Sequence, residues 1–163
     1  MSDATQQRPQ ATIYTDGACH GNPGPGGWAA IIDIAGERQE ISGGFARTTN
    51  NRMELLAVIE ALERLEGSHQ VRLTTDSRYL HDALTKGWLK RWRANGWKTA
   101  SKSPVKNQDL WKRLLPLVEK HQLQVIWTRG HDGHPENERC DLLAGQAAQS
   151  PSLTEDKGYR EQG

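Results

Sequence analysis

Two acidic side chains stand in near-matching contexts, Tyr14-Thr15-Asp16-Gly17 and Thr74-Thr75-Asp76-Ser77. Each ends a short apolar or alternating stretch, where a strand gives way to a turn or a helix. If those strands lie side by side, two carboxylates meet at one edge of a sheet. Glu54, in the first turn of the next helical stretch, and Asp141, on the polar run Glu136-Asn137-Glu138-Arg139-Cys140-Asp141, are candidates for the same spot. Carboxylates crowded together raise one another's pKa, and a bound cation removes the penalty. Hard oxygen donors suit Mg²⁺, with Mn²⁺ as a substitute. With a substrate phosphate included, two such ions can activate a water and stabilise a leaving oxygen, so the implied reaction is phosphodiester hydrolysis. Zinc fits less well, because neither Cys19 nor Cys140 belongs to a Cys-x-x-Cys or histidine-rich pattern. Taken singly, each acid also has an ordinary use. Asp76 can cap a helix, Glu54 can favour a helix N-terminus, and Asp141 can pair with Arg139 or Lys157 at the surface.

The elements that must position these acids follow from periodicity. Residues 11–15, 28–34 and 39–45 read as strands, the last two joined by a turn through Ala35-Gly36-Glu37, and their short connections imply antiparallel pairing. From 51 to 65 the period becomes helical, with Leu55, Val58, Ile59, Leu62 and Leu65 on one face and Asn50 or Asn51 as N-cap. Residues 71–75 form a fourth strand, reached by a crossover that favours parallel pairing with an earlier strand. Residues 77–84, 87–95 and 109–119 read as helices, 123–127 as a fifth strand and 136–148 as a last helix. The expectation is an α/β fold, a mixed sheet flanked by about five helices.

A chain of 163 residues is about one domain long and can bury a core without staples. Two cysteines are too few for a secreted disulfide scaffold, and free thiols are expected. No apolar run is long enough to cross a bilayer, and no greasy core of a signal peptide opens the chain, so a cytoplasmic monomer is the expectation. Residues 1–9 and 150–163 are polar and patternless and read as flexible tails around a domain at 10–149. The formal charge of +1 conceals an asymmetry. Between Lys86 and Arg113 there are nine Lys or Arg residues against the single acid Asp109, so a partner feels a local positive field.

That basic stretch also holds Trp88, Trp92, Trp97 and Trp111, interleaved with Lys90, Arg91, Arg93, Lys98, Lys102 and Lys106. Cations there can meet phosphates while indoles contact sugars or hold the segment together. Trp88 and Trp92 are four apart and face alike, so mutual packing explains them at least as well as substrate contact. Gly21, Gly24, Gly26 and Gly27, with two prolines, read as a tight loop beside Asp16 where backbone can approach a sugar or phosphate.

Five separated runs resemble bacterial type 1 ribonuclease H and occur in that family's order: Tyr14-Thr15-Asp16-Gly17-Ala18-Cys19; Gly21-Asn22-Pro23-Gly24-Pro25-Gly26-Gly27-Trp28; Thr49-Asn50-Asn51-Arg52-Met53-Glu54; Thr75-Asp76-Ser77; and the stretch from Gly130-His131-Asp132-Gly133-His134-Pro135 to Asp141. The resemblance runs from about Ala11 to Ala147. It implies cleavage of the RNA strand of an RNA/DNA hybrid, leaving 5′-phosphate and 3′-hydroxyl ends. It also implies a five-stranded sheet whose first three strands are antiparallel and whose strands 1, 4 and 5 are parallel.

By the same resemblance, Asp16, Glu54, Asp76 and Asp141 are catalytic and hold metal, two Mg²⁺ when substrate is bound. His131 assists catalysis without being a main ligand. Asn22, Thr49, Asn50 and Asn51 face the substrate, where amides can meet the 2′-hydroxyl that distinguishes RNA. A basic protrusion near 86–107 grips the DNA strand, with Trp88, Trp92, Arg93, Trp97, Lys98, Lys106 and Asn107 matching its pattern. The chain departs from the most basic relatives by reading Arg93-Ala94-Asn95-Gly96 after the second tryptophan, which predicts weaker and more salt-sensitive binding.

Overall fold

A computed structural model describes residues 8–129 and 134–162. Five strands, β1 (Gln10–Cys19), β2 (Gly24–Ile34), β3 (Glu37–Thr48), β4 (Gln70–Thr75) and β5 (Gln122–Trp127), form one sheet in the order β3-β2-β1-β4-β5. The pairs β1–β2 and β2–β3 are antiparallel, and β1–β4 and β4–β5 are parallel, as expected. Ile34 pairs with Glu37, and the two residues between, Ala35 and Gly36, have φ of 54° and 83°. That is the doubly left-handed turn whose twist matches a hairpin. The segment expected as a glycine-rich loop is mostly strand, since Gly24 to Gly27 open β2 and Gly26 and Gly27 pair with both flanking strands.

Helix α1 (Asn50–Glu63) starts one residue earlier than expected. Thr49 is the cap, its Oγ1 accepting the Arg52 N–H at 3.3 Å. Almost every side chain of α1 from Arg52 to Leu62 is buried, not one face alone. The helix is pressed between β1 and β2 on one side and α4 (Gln108–Lys120) on the other, so more than one face is buried. Ile13, Leu55, Ile59, Leu62, Leu73 and Leu114 lie at the centre of this core. Helices α2 (Arg78–Thr85) and α3 (Trp88–Ala94) bridge β4 to the basic segment.

Helix α5 (Pro135–Ala148) covers the opposite face of β1, β2 and β3. Its approach is close: a Cβ on Gly27 would lie 2.7 Å from the Ala148 nitrogen. Cys140 and Ala144 pack there on Ala29 and Ile31, and the small side chains let α5 sit low enough to bring Asp141 toward the end of β1.

The frayed tail expected from residue 150 is not observed among the described residues. Thr154 bridges to Phe45 on the edge strand, Ala46 N–H donates to the Thr154 carbonyl at 2.7 Å, and a short helix α6 (Lys157–Gln162) follows. The anchor is Asp156, which is buried; it accepts from Thr48 Oγ1 at 2.6 Å and from Arg52 Nε at 2.8 Å. A polar sequence gave no apolar period to reveal this, because the segment is held by charge and hydrogen bonds.

Candidate active site

Strand register brings the first two acids together. Tyr14 and Thr74 are the last partners of the parallel β1–β4 ladder, so Asp16 and Asp76, each two residues on, leave the sheet from adjacent strand ends. The Trp127 indole N–H donates to the Asp76 carbonyl at 3.1 Å and ties this turn to β5. Glu54 arrives from α1, and only a glycine at position 17 lets the helix come that near: a Cβ there would lie 2.6 Å from the Glu54 nitrogen and 2.8 Å from the Met53 carbonyl carbon. The Gly17 N–H donates to Asp16 Oδ1 at 2.9 Å.

One carboxylate oxygen from each of Asp16, Glu54 and Asp76 lies within 4.8 Å of the other two. Asp16 and Glu54 are buried. Glu54 Oε1 and Asp76 Oδ1 are buried without a hydrogen-bond partner among the described residues. Asp141, more exposed on α5, stands next to Asp16 and adds negative charge to it, but lies outside the tight group of three. The energetic consequence is large. Burial, followed by the charges of Asp76 and Asp141, pushes Asp16 up to about 8. Burial, followed by Asp16 and Asp76, holds Glu54 well above the ordinary carboxylate range. Unsatisfied, converging acidic oxygens are costly in a bare fold and fit a hard divalent cation.

Around this centre the expected substrate residues divide into two groups. Asn22 Oδ1 accepts the Asn50 N–H at 3.1 Å, which fixes the glycine-rich turn against the start of α1, and the Asn22 side chain is exposed. Asn22, Thr49, Asn51, Lys106 and Asn107 line a cleft of about 950 Å³. Asn107 has φ of 62° and is buried, donating to the Tyr79 hydroxyl at 3.3 Å.

The protrusion is built as much for packing as for contact. Trp88 and Trp92 have ring centroids 5.9 Å apart, Trp92 and Trp111 are 5.4 Å apart, and Tyr79 meets Trp111 edge-on at 5.4 Å. Trp88 and Trp92, with Lys98, line a groove of about 360 Å³. Trp97 adopts φ of 63°, its N–H donates to the Trp92 carbonyl at 2.7 Å, and Lys112 lies over its ring. Arg93 instead turns to Glu119, 3.2 Å away on α4.

A model of the family described as RNase H matches residues 8–149. The chain belongs to the ribonuclease H family. Among its relatives, the ribonuclease H of Nitratidesulfovibrio vulgaris (strain DP4) is 60% identical over 148 residues, spanning 91% of this chain and 95% of its own. That of Trichodesmium erythraeum (strain IMS101) is 58% identical over 156 residues, spanning 96% and 99%. Among solved structures, LC9-RNase H1, described as a type 1 RNase H with the type 2 active-site motif, superposes with a TM-score of 0.77 at 35% identity, covering 95% of this chain and 81% of that one. LC11-RNase H1, solved in complex with an RNA/DNA hybrid, gives 0.59 at 26% identity, covering 85% and 96%.

For this ribonuclease H family member, His131 lies outside the described residues, and its neighbour His134 caps α5 through its backbone alone. Cys19 and Cys140 are free thiols; burial pushes Cys140 up to about 12, too high for a reactive thiolate. Sequence reasoning passed over three participants. Arg52 is buried between Asp109 and Asp156, Trp127 braces Asp76, and Tyr159 lines the cleft. Asp109 as the lone acid in a basic stretch was the only available signal, and its partner could not be read from spacing.

Proposed function

We propose that this protein is a divalent-metal-dependent endoribonuclease that hydrolyses the RNA strand of RNA/DNA hybrids, leaving 5′-phosphate and 3′-hydroxyl ends. The observation that carries the reading is the convergence of Asp16, Glu54 and Asp76 with buried, unpartnered oxygens, in a chain of the ribonuclease H family. Asp16, Glu54 and Asp76, with Asp141 at the open side, are the residues that would hold Mg²⁺, two ions once substrate phosphate completes the donor set, or Mn²⁺ in its place. When bound, the metal supplies Lewis acidity toward the phosphodiester and a low pKa for the attacking water.

The chain's own residues supply positioning. Asn22, Asn50 and Asn51 present amides beside the carboxylates, where the minor groove of a hybrid exposes 2′-hydroxyls. Lys98 and Lys106 offer charge to the DNA backbone, and Trp88, Trp92 and Trp97 form the rigid platform that carries it. His131 is assigned to proton movement near the leaving group, the task suited to a side chain that titrates near neutrality.

The test compares an RNA/DNA hybrid, an RNA duplex and a DNA duplex as substrates across a Mg²⁺ and Mn²⁺ titration. Hybrid-only cutting of the RNA strand, abolished by chelator, supports the reading. Cutting of all-DNA duplex at a similar rate would make the protein a DNA nuclease on the same sheet, and hybrid binding without turnover would make it a binding module.

A further inference from the structure

We propose that the C-terminal segment is a wall of the substrate groove and that Tyr159 is a binding residue for the uncleaved DNA strand; this rests on the hybrid-cleaving reading above. Tyr159 and Gly158 line the 950 Å³ cleft together with Asn51, Lys106 and Asn107. The family match ends at residue 149, ten positions before Tyr159.

Position on α1 says which strand reaches that cleft. Glu54 and Arg52 are two residues apart, about 200° around the helix. Glu54 therefore points to the carboxylate cluster while Arg52 points the other way, to Asp109 and Asp156. A hybrid with its RNA strand at the carboxylates and its minor groove over Asn50 and Asn51 lays its second strand on the Arg52 side, over Tyr159.

The wall is built to stay in place. Arg52 Nη1 and Nη2 donate to Asp109 at 2.8 and 2.7 Å, and Nε and Nη2 donate to Asp156 at 2.8 and 3.1 Å. Asp156 Oδ1 also accepts the Tyr159 N–H at 3.3 Å, so the tyrosine backbone is tied through Asp156 to the same buried arginine. A Cβ on Gly158 would lie 2.5 Å from Arg52 Nη2, so the glycine lets the turn close onto the guanidinium. The half-buried Tyr159 carries its phenol on a backbone anchored by this frame, so its ring can offer a flat face to sugars at reduced ordering cost.

The test is steady-state cleavage of hybrid at saturating Mg²⁺ by the full chain. Tyr159→Ala should raise KM about tenfold, the scale of one lost aromatic stack, with kcat within about twofold. Tyr159→Phe should keep the parent KM. An unchanged KM in Tyr159→Ala overturns the proposal, as does a loss of kcat at constant KM. Should the alanine variant unfold, ¹⁹F spectra of the 3-fluorotyrosine-labelled parent in EDTA decide, with the Tyr159 line assigned through Tyr159→Phe. Movement of that line on hybrid addition supports the contact, and an unmoved line at saturating hybrid overturns it. A parent that leaves hybrid uncut sinks the ribonuclease reading itself, a result distinct from either failure at Tyr159.

Discussion

At the scale of single residues, function and stability pull in opposite directions. Asp16 sits in a buried, like-charged site and is pushed up to about 8. An acid whose folded pKa exceeds its unfolded value contributes stability that is complete below the unfolded pKa and is lost as pH rises through the folded one. Without metal, this group therefore weakens the fold as pH climbs from about 4 to about 8. Asp16→Asn removes that loss, so its urea midpoint in EDTA should exceed the parent's by a margin that widens across this window, and saturating Mg²⁺ should narrow the margin by stabilising the parent. The same substitution should cut hybrid turnover at least about 1000-fold, since several kcal/mol of metal-borne stabilisation are lost at about 1.4 kcal/mol per decade. A variant that is neither stabilised in EDTA nor impaired in Mg²⁺ would remove Asp16 from the metal site.

At the scale of elements, two contacts place the chemistry. The first is the seating of α1 on β1 at Gly17, where an added methyl meets backbone atoms of Met53 and Glu54 and not a yielding side chain. Gly17→Ala should cost about 1–3 kcal/mol in denaturant unfolding and lower kcat, because Glu54 must retreat from Asp16. The second is the Arg52 clasp between α1, α4 and the C-terminal segment. Arg52→Ala leaves Asp156 buried without its cation, and chemical unfolding should show a loss of about 3–5 kcal/mol. The strands and helices themselves were readable because periodicity is local: 71–75 and 123–127 are alternating or largely apolar stretches of strand length, and Asp16 and Asp76 follow strand ends while Glu54 and Asp141 lie on helices. The clasp was not readable, since Asp109 and Asp156 lie 57 and 104 positions from Arg52 and carry no pattern. The tryptophans fell between. Their number announced a feature, but only the stack through Trp111 and Tyr79 shows that much of it is structural.

At the scale of the whole molecule, a nearly neutral chain presents a negative centre and a positive arm. The carboxylate cluster is suited to cations, and the segment from Lys86 to Arg113 offers positive charge suited to phosphates. Of that arm, Arg93 is engaged with Glu119 and Arg113 with Glu60 and Glu63, so fewer cations meet substrate than composition suggests. KM for hybrid should therefore rise with salt while kcat stays nearly constant, and Lys98→Ala combined with Lys106→Ala should flatten the slope of log KM against log salt by about two phosphate contacts. A salt-independent KM would remove the arm from substrate binding. The three carboxylates that converge, Asp16, Glu54 and Asp76, were legible from motif order. The sides of the groove were not, because the cleft is made from segments near residues 22, 50, 106 and 159 that only the folded chain brings together.

The most direct measurement is hybrid cleavage as a function of Mg²⁺, run on the parent and on Glu54→Gln, a change that keeps shape and removes one buried negative oxygen. The parent should be inert in EDTA and saturate with Mg²⁺, cutting only the RNA strand, while Glu54→Gln stays folded and inactive at every Mg²⁺ concentration. Turnover in EDTA, or a Glu54→Gln variant that matches the parent curve, would contradict the assignment of the carboxylate cluster as the reaction centre.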